Sequence, residues 1–262
     1  MSEFAGRVVL ITGAAGGIGQ ALSRLFGERG ATIAALDRDE AVTDFAATLN
    51  DEGIRAAAGV ADIGAADDVA AALADLRAAL GPVSVLINNA GYSSCATLEK
   101  ATPASWADDV NLNLNGAFNC AHAVLQDLKD ADDAAIVNIS SVNGLMAYGD
   151  PAYGAGKAGL INFTKSFAME YGRFGIRANA VCPGTVRTPI WNHRIERQPE
   201  ILDELARWYP LRRVADPIDV ARAVAFLAST DAAAITGAIL PVDCGLGAGN
   251  IVMTRNLTLE EF

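Results

Sequence analysis

Apolar positions along this chain group in two alternating ways. Short, predominantly apolar runs at residues 7–12, 31–36, 55–60, 83–87 and 135–139 predict strands buried on both faces. After the first of them, Ile18, Leu22, Leu25 and Phe26 recur at i, i+4, i+7 and i+8, the spacing of one helical face. Further helices are expected at 40–50 and 67–80, and one long helix at 106–128. Strand and helix alternate with no hairpin signal, which predicts an α/β fold with a parallel sheet covered by helices on both faces. In such a sheet, function gathers at the carboxyl ends of the strands.

Those ends carry the candidate chemistry. The first strand runs directly into Gly13-Ala14-Ala15-Gly16-Gly17-Ile18-Gly19 and then a helix. Glycines let a backbone turn sharply and approach a pyrophosphate, while the free N–H groups at a helix start favour negative charge. A plain tight connection would use the same residues. The second strand ends in Asp37, about 20 residues beyond the glycines, where a dinucleotide fold places an acid on the adenosine ribose. Arg38 beside it complicates the choice of cofactor. Asp62 closes the third strand, where it can reach an adenine amino group or cap the next helix. Asn88-Asn89-Ala90-Gly91 ends the fourth, and Ser140-Ser141 the fifth.

Two stretches stand out from this regular plan. Asn113-Leu114-Asn115-Gly116 falls in the middle of the long helix, a poor place for two Asn and a Gly. Such breaks mark functional sites or buried polar pairs. Tyr153 and Lys157 would share a face if their segment is helical. The ammonium would then lower a phenol pKa that is ordinarily near ~10, allowing Tyr153 to exchange a proton with an alcohol or ketone while Ser141 holds the substrate oxygen.

Composition narrows the picture without changing it. The 262 residues fit one large α/β domain, and 52% hydrophobic content with 25 Gly describes a globular chain. A net charge of −11 argues against nucleic acid as a partner. No apolar run reaches the ~18–20 residues of a membrane span. Met1-Ser2-Glu3-Phe4-Ala5-Gly6-Arg7 leads at once into a strand and leaves no room for a leader, so a cytoplasmic protein is expected. Cys95, Cys120, Cys182 and Cys244 have no metal or disulfide spacing and read as reduced thiols. His122 and His193 have no partners that suggest a metal or a triad.

Taken together, these motifs resemble the short-chain dehydrogenase/reductase family, from about Gly6 to Gly245. Thr12–Gly19 is similar to its T-G-x-x-x-G-x-G, Asn88–Gly91 to N-N-A-G, Asn113–Gly116 to N-x-x-G, and Tyr153–Lys157 to Y-x-x-x-K. Asn138–Val142 is similar to its catalytic-serine strand, and Pro183–Thr188 to the loop that holds the nicotinamide carboxamide. The resemblance implies a Rossmann-like doubly wound fold comprising a single dinucleotide-binding and catalytic domain over 1–262. It implies a catalytic set of Asn113, Ser141, Tyr153 and Lys157, with Asn113 holding a water that links Lys157 to solvent.

For NAD, the resemblance implies Gly13, Gly17, Ile18 and Gly19 at the pyrophosphate, Asp37 at the ribose, and Asp62 and Ile63 at the adenine. Asn89, Ala90 and Gly91 would follow the ribose edge, and Pro183, Val186 and Thr188 the carboxamide end. The implied reaction is interconversion of a secondary alcohol and a ketone. Imine or enoyl reduction, and a non-catalytic nucleotide scaffold, stand as alternatives.

The chain departs from the family pattern in three places. The gap from Ser141 to Tyr153 is one residue short, Gly154 and Gly156 flank the catalytic pair, and Cys244 replaces a common Gly. Past Thr188 the match is positional only. Residues 189–212 are expected to form a substrate lid, in which Trp191 and Trp208, with Tyr148 from outside it, either line a pocket or pack the lid down. The tail, 246–262, is long enough to cross an interface, and family members are commonly tetramers.

Overall fold

A computed structural model describes residues 3–260, so Met1 and Ser2 of the expected N-terminal reading, and Glu261 and Phe262 of the tail, lie outside the described residues. Seven parallel strands form one sheet in the order β3-β2-β1-β4-β5-β6-β7. They are β1 (Val8–Thr12), β2 (Thr32–Asp37), β3 (Ala56–Val60), β4 (Val85–Asn88), β5 (Ala135–Ile139), β6 (Arg177–Pro183) and β7 (Ile239–Val242). The helices between β1 and β4 are α1 (Gly17–Glu28), α2 (Ala41–Asp51) and α3 (Ala66–Leu80).

The strands are buried on both faces because each face packs against its own layer of helices. Val9, Ile11, Ile33, Ala35, Val85 and Ile87 join one core with Leu22 and Phe26 of α1. Leu10, Ala34, Leu36, Leu86 and Ile136 join a second core with Leu73 and Leu76 of α3. Neighbouring residues of a strand point to opposite faces, so an apolar run with no polar alternation requires cover on both sides. Truncating a fully buried side chain such as Leu10 would cost about 2–5 kcal/mol.

The chain reverses its winding between β1 and β4, which are direct neighbours in register Val9 to Val85. The loops after these strands splay apart there and leave a crevice at the carboxyl edge. The expected helix at 106–128 is instead a series of shorter elements. α4 (Pro103–Val110) passes through a π-helical turn at Asn111–Asn115 into α5 (Gly116–Ala123), and α6 (Leu125–Asp130) follows a break at Val124. A π turn carries one extra residue, which rotates Asn113 inward on a helix it would otherwise line unremarkably.

The Tyr153 segment is helical. α7 (Pro151–Tyr171) opens with Pro151 at its first turn, where the missing N–H costs nothing. Beyond it come short helices α8 (Asn192–Ile195) and α9 (Ile201–Ala206), then α10 (Pro217–Ala228) and, after β7, α11 (Ile251–Thr258). No described helix is long and apolar enough to cross a membrane.

Candidate active site

A cavity of about 1240 Å³ runs along the carboxyl edge of the sheet. One end is the glycine turn after β1. Gly13 has φ +64°, and a Cβ there would lie 2.9 Å from Ala90 Cα; a Cβ on Gly19 would collide with the Gly13 carbonyl. Side chains are excluded so that two backbones can touch. α1 starts at this turn without a side-chain cap, leaving its first-turn amides for an anion, and Gly17 and Ile18 face the cavity.

Asp37 stands beside the turn and accepts from the Ala15 amide at 3.0 Å and the Asp39 amide at 3.1 Å. Arg38, Asp62 and Ile63 complete that end. Asp62 accepts from the Gly64 amide at 2.8 Å and does not cap α3, whose N-cap is Ala65. Thr12 locks the glycine turn to the β4 loop, its Oγ1 accepting from the amides of Asn89 and Ala90, both at 3.0 Å.

At the middle of the cavity β5 delivers Ser140 and Ser141. Ser140 Oγ donates to the Lys157 carbonyl at 2.9 Å, inside the protein. The Ser141 hydroxyl is paired with Asn143, accepting from its amide at 3.1 Å, and lies against the phenol of Tyr153. Lys157, 2% exposed, donates from Nζ to the Ile139 carbonyl at 2.9 Å and sits 5.6 Å from the Tyr153 ring centre.

Burial governs both titrations. It pushes Lys157 down to about 8, with Cys182 opposing weakly. It holds the Tyr153 phenol above its ordinary value, while the hydroxyl of Ser141 draws it back. The expected lowering of Tyr153 by Lys157 is therefore not met in the protein alone. Removing water from a phenolate costs more than the Ser141 hydroxyl returns, and Asp150 and Cys182 add to the rise.

Asn113, 1% exposed, donates from Nδ2 to the carbonyls of Tyr92 at 2.7 Å and Asp109 at 2.8 Å. Its Oδ1 has no hydrogen-bond partner among the described residues. That oxygen and Lys157 Nζ both crowd the α-carbon of Gly91, whose Cβ would lie 2.7 Å from one and 2.8 Å from the other. A family model described as enoyl-(acyl carrier protein) reductase matches residues 13–247. The chain belongs to the short-chain dehydrogenase/reductase family.

Among curated relatives, an uncharacterized oxidoreductase of Schizosaccharomyces pombe is 43% identical over 97% of this chain and 96% of its own length. The cis-4-hydroxycyclohexanecarboxylate dehydrogenase of Sinomonas cyclohexanicum is 40% identical, over 94% and 98%. A crystal structure of a short-chain dehydrogenase/reductase from Burkholderia thailandensis superposes with TM-score 0.91 at 50% identity, covering 98% of each chain. Two further family structures carry the dinucleotide. An actinorhodin polyketide ketoreductase with NADPH has TM-score 0.86 and 32% identity over 93% and 98%. A 3-oxoacyl-[acyl-carrier protein] reductase of Brucella melitensis with bound NAD has TM-score 0.85 and 34% identity over 94% and 92%. The protein is accordingly an oxidoreductase of a family that uses nicotinamide cofactors.

Of the residues expected at the site, Gly19 and Asn113 do not line the cavity; they stand behind it, one under the glycine turn and the other under Gly91. The remainder line it, including Pro183, Val186 and Thr188 on the loop after β6. Trp191, Trp208 and Tyr148 line it too, and Trp191 also packs against the small core of Ile201, Leu202, Tyr209 and Val214.

Sequence reasoning missed Asp109, which accepts from the Ser94 amide at 3.1 and 3.2 Å and is 3% exposed. An acid four residues before Asn113 on the same helical face was the available signal. It also missed why Gly154 and Gly156 flank Tyr153: added Cβ atoms would press on the Asn143 carbonyl at 3.2 Å and on Asn113 Cβ at 3.1 Å. Cys244, where the family commonly has Gly, holds φ +50°.

Proposed function

We propose that this protein is an NAD-dependent dehydrogenase/reductase that interconverts a secondary alcohol and a ketone, with Tyr153 as proton donor and acceptor. The observation that carries the reading is the meeting of Tyr153, Ser141 and Lys157 in one cavity with an uncapped glycine turn. The cleft fits a dinucleotide: bare helix-start amides suit a pyrophosphate, and the Asp37 carboxylate suits a ribose diol.

When bound, the dinucleotide supplies the hydride carrier and, oxidised, a positively charged ring. Ser141 holds the substrate oxygen by a hydrogen bond. Tyr153 Oη gives that oxygen a proton in reduction and takes it in oxidation. Lys157 holds positive charge behind the phenol and orients the ribose. Asn113 completes the set, its unpaired Oδ1 beside Lys157 supporting a proton path to solvent through water. Residues 189–212 close over the substrate and exclude water.

Tyr153→Phe keeps the ring and removes only the acid. Turnover should fall at least ~10²–10⁴-fold with cofactor binding kept; near wild-type turnover would end the assignment. NAD rather than NADP follows from Asp37, since a 2′-phosphate against its carboxylate places two anions in contact. Comparing kcat/KM for both cofactors in wild type and Asp37→Ala checks this. The preference should shrink sharply in the variant, whereas a wild type preferring NADP would make Arg38 the deciding residue.

Enoyl reduction, raised by the matched family's description, is separated by offering a conjugated enoyl thioester beside a ketone. The same reading takes the chain as one cytoplasmic domain that assembles as a homotetramer. Phe118 and Met169, 50% and 84% exposed on α5 and α7, support such assembly, and light scattering in solution tests it.

A further inference from the structure

The substrate side of the cavity has an uneven distribution of charge. Its outer wall is apolar, built from Ile190, Trp191, Leu205, Trp208 and Leu246, with Met146 facing from the loop after β5. Into this wall the short helix α8 brings one cation, Arg194. Its guanidinium lies over the Trp191 ring, 5.7 Å from the ring centre, which fixes the direction of the side chain.

Seven of the sixteen arginines of this acidic chain are committed in ion pairs within the described residues. Arg7, Arg24, Arg29, Arg77, Arg177, Arg187 and Arg213 each pair with a carboxylate. Among the described residues Arg194 has no carboxylate within ion-pair distance. Arg38 is the one other arginine that lines the cavity, and it stands at the opposite end beside Asp37. Of the other charges near the middle, Lys157 is turned to the Ile139 carbonyl, and Asp150 accepts from Ser93 Oγ at 2.9 Å.

We propose that Arg194 is a specificity-determining residue that recognises a carboxylate on the substrate. The substrate class is then a hydroxy acid, or the matching keto acid, whose frame is an apolar ring or chain. This rests on the alcohol–ketone reading above. A guanidinium presents a planar fork that matches a carboxylate with two parallel hydrogen bonds. One monovalent cation balances one carboxylate, whereas a phosphate dianion would be left with a charge unbalanced, since Arg194 is the one cation among the described residues on this side of the cavity. The surrounding indoles and leucines fit the frame rather than a polyol. With a net charge of −11, the protein attracts no anion by its overall field, so an acid must be recognised locally.

The test compares cyclohexane rings that differ only in charge. Turnover is measured on 4-hydroxycyclohexanecarboxylate and on its carboxamide, with wild type, Arg194→Gln and Arg194→Lys, at low and high salt. Wild type should favour the acid at least about 10-fold in kcat/KM, mainly through KM. Arg194→Gln should erase that preference while leaving the amide within about 2-fold, Arg194→Lys should restore part of it, and salt should weaken it.

Binding is read separately from quenching of tryptophan fluorescence by cyclohexanecarboxylate or its carboxamide, with and without saturating NAD; two of the three Trp line the cavity. Equal binding of acid and amide by wild type, or an acid preference that survives Arg194→Gln, overturns the proposal. No turnover of any alcohol together with charge-selective quenching that needs Arg194 would keep this site and refute the reaction.

Discussion

The floor and the lid of the cavity are built by different physics. On the floor the polar groups behind Tyr153 are held by the backbone. Lys157 is tied to Ile139, Ser140 to the Lys157 carbonyl, and Asn113 to Tyr92 and Asp109. Beneath them Asn88 donates to Asn138 at 2.8 Å, and Asn138 to Thr164 at 2.8 Å, joining β4, β5 and α7 through buried polar side chains. Buried polar groups in such a network hold one geometry, because any other leaves a donor unpaired at a cost of about 1–3 kcal/mol each.

The proposed lid, by contrast, carries two helices of four and six residues with a small core of their own. Ile190 and Leu211 are 61% and 64% exposed. One side-chain tie to the body is a hydroxyl: Tyr209 Oη donates to Thr185 Oγ1 at 2.8 Å and accepts from the Thr185 amide at 3.0 Å. Under the proposed function, the contrast teaches that the proton chemistry would be preorganised by burial, while substrate choice would be carried by a surface that can change without disturbing it.

The sharpest way to break this comparison lies on the floor, in two adjacent serines. Ser141→Ala should lose roughly 10²–10³-fold in turnover, as for a donor aimed at a reacting oxygen. Ser140→Ala should keep turnover within a few fold and lower stability by about 1 kcal/mol, since its hydroxyl is engaged with the Lys157 carbonyl and the Cys182 thiol inside the protein. The opposite pattern in steady-state kinetics would mean that the wrong serine has been placed at the substrate.

Next in size is the cost of burying Lys157. Below pH about 8 both folded and unfolded chains hold its proton. Between about 8 and the unfolded value near ~10.4 the unfolded chain keeps a proton that the folded one has shed, so stability rises with pH. The gain is at most ~3 kcal/mol over that window. Tyr153, held above its ordinary value, acts oppositely and only above ~10. Urea unfolding of wild type and Lys157→Met at pH 7 and 9.5 should show wild type gaining on the variant; a constant gap would mean that the lysine is hydrated in the folded protein.

The smallest effect belongs to the lid. Tyr209→Phe removes the hydroxyl from Thr185 and should cost about 1 kcal/mol, raising KM for substrate a few fold with kcat nearly unchanged. A large fall in kcat instead would show that the lid positions the reacting groups and does not merely cover them.

Much of this was legible in the chain itself. Apolar runs without alternation required a sheet covered on both faces, and the positions of Gly13, Asp37, Asn89 and Ser141 at strand ends followed from where the runs stop. Those are local consequences of period and steric demand. Only the tertiary structure decided the rest. The π turn that buries Asn113, the partner of each serine, and the upward displacement of Tyr153 depend on which distant backbone lies opposite and on how much water is excluded. The placement of Arg194 over Trp191 at the cavity wall is of the same kind, because no periodicity along a sequence records which lid residue faces inward.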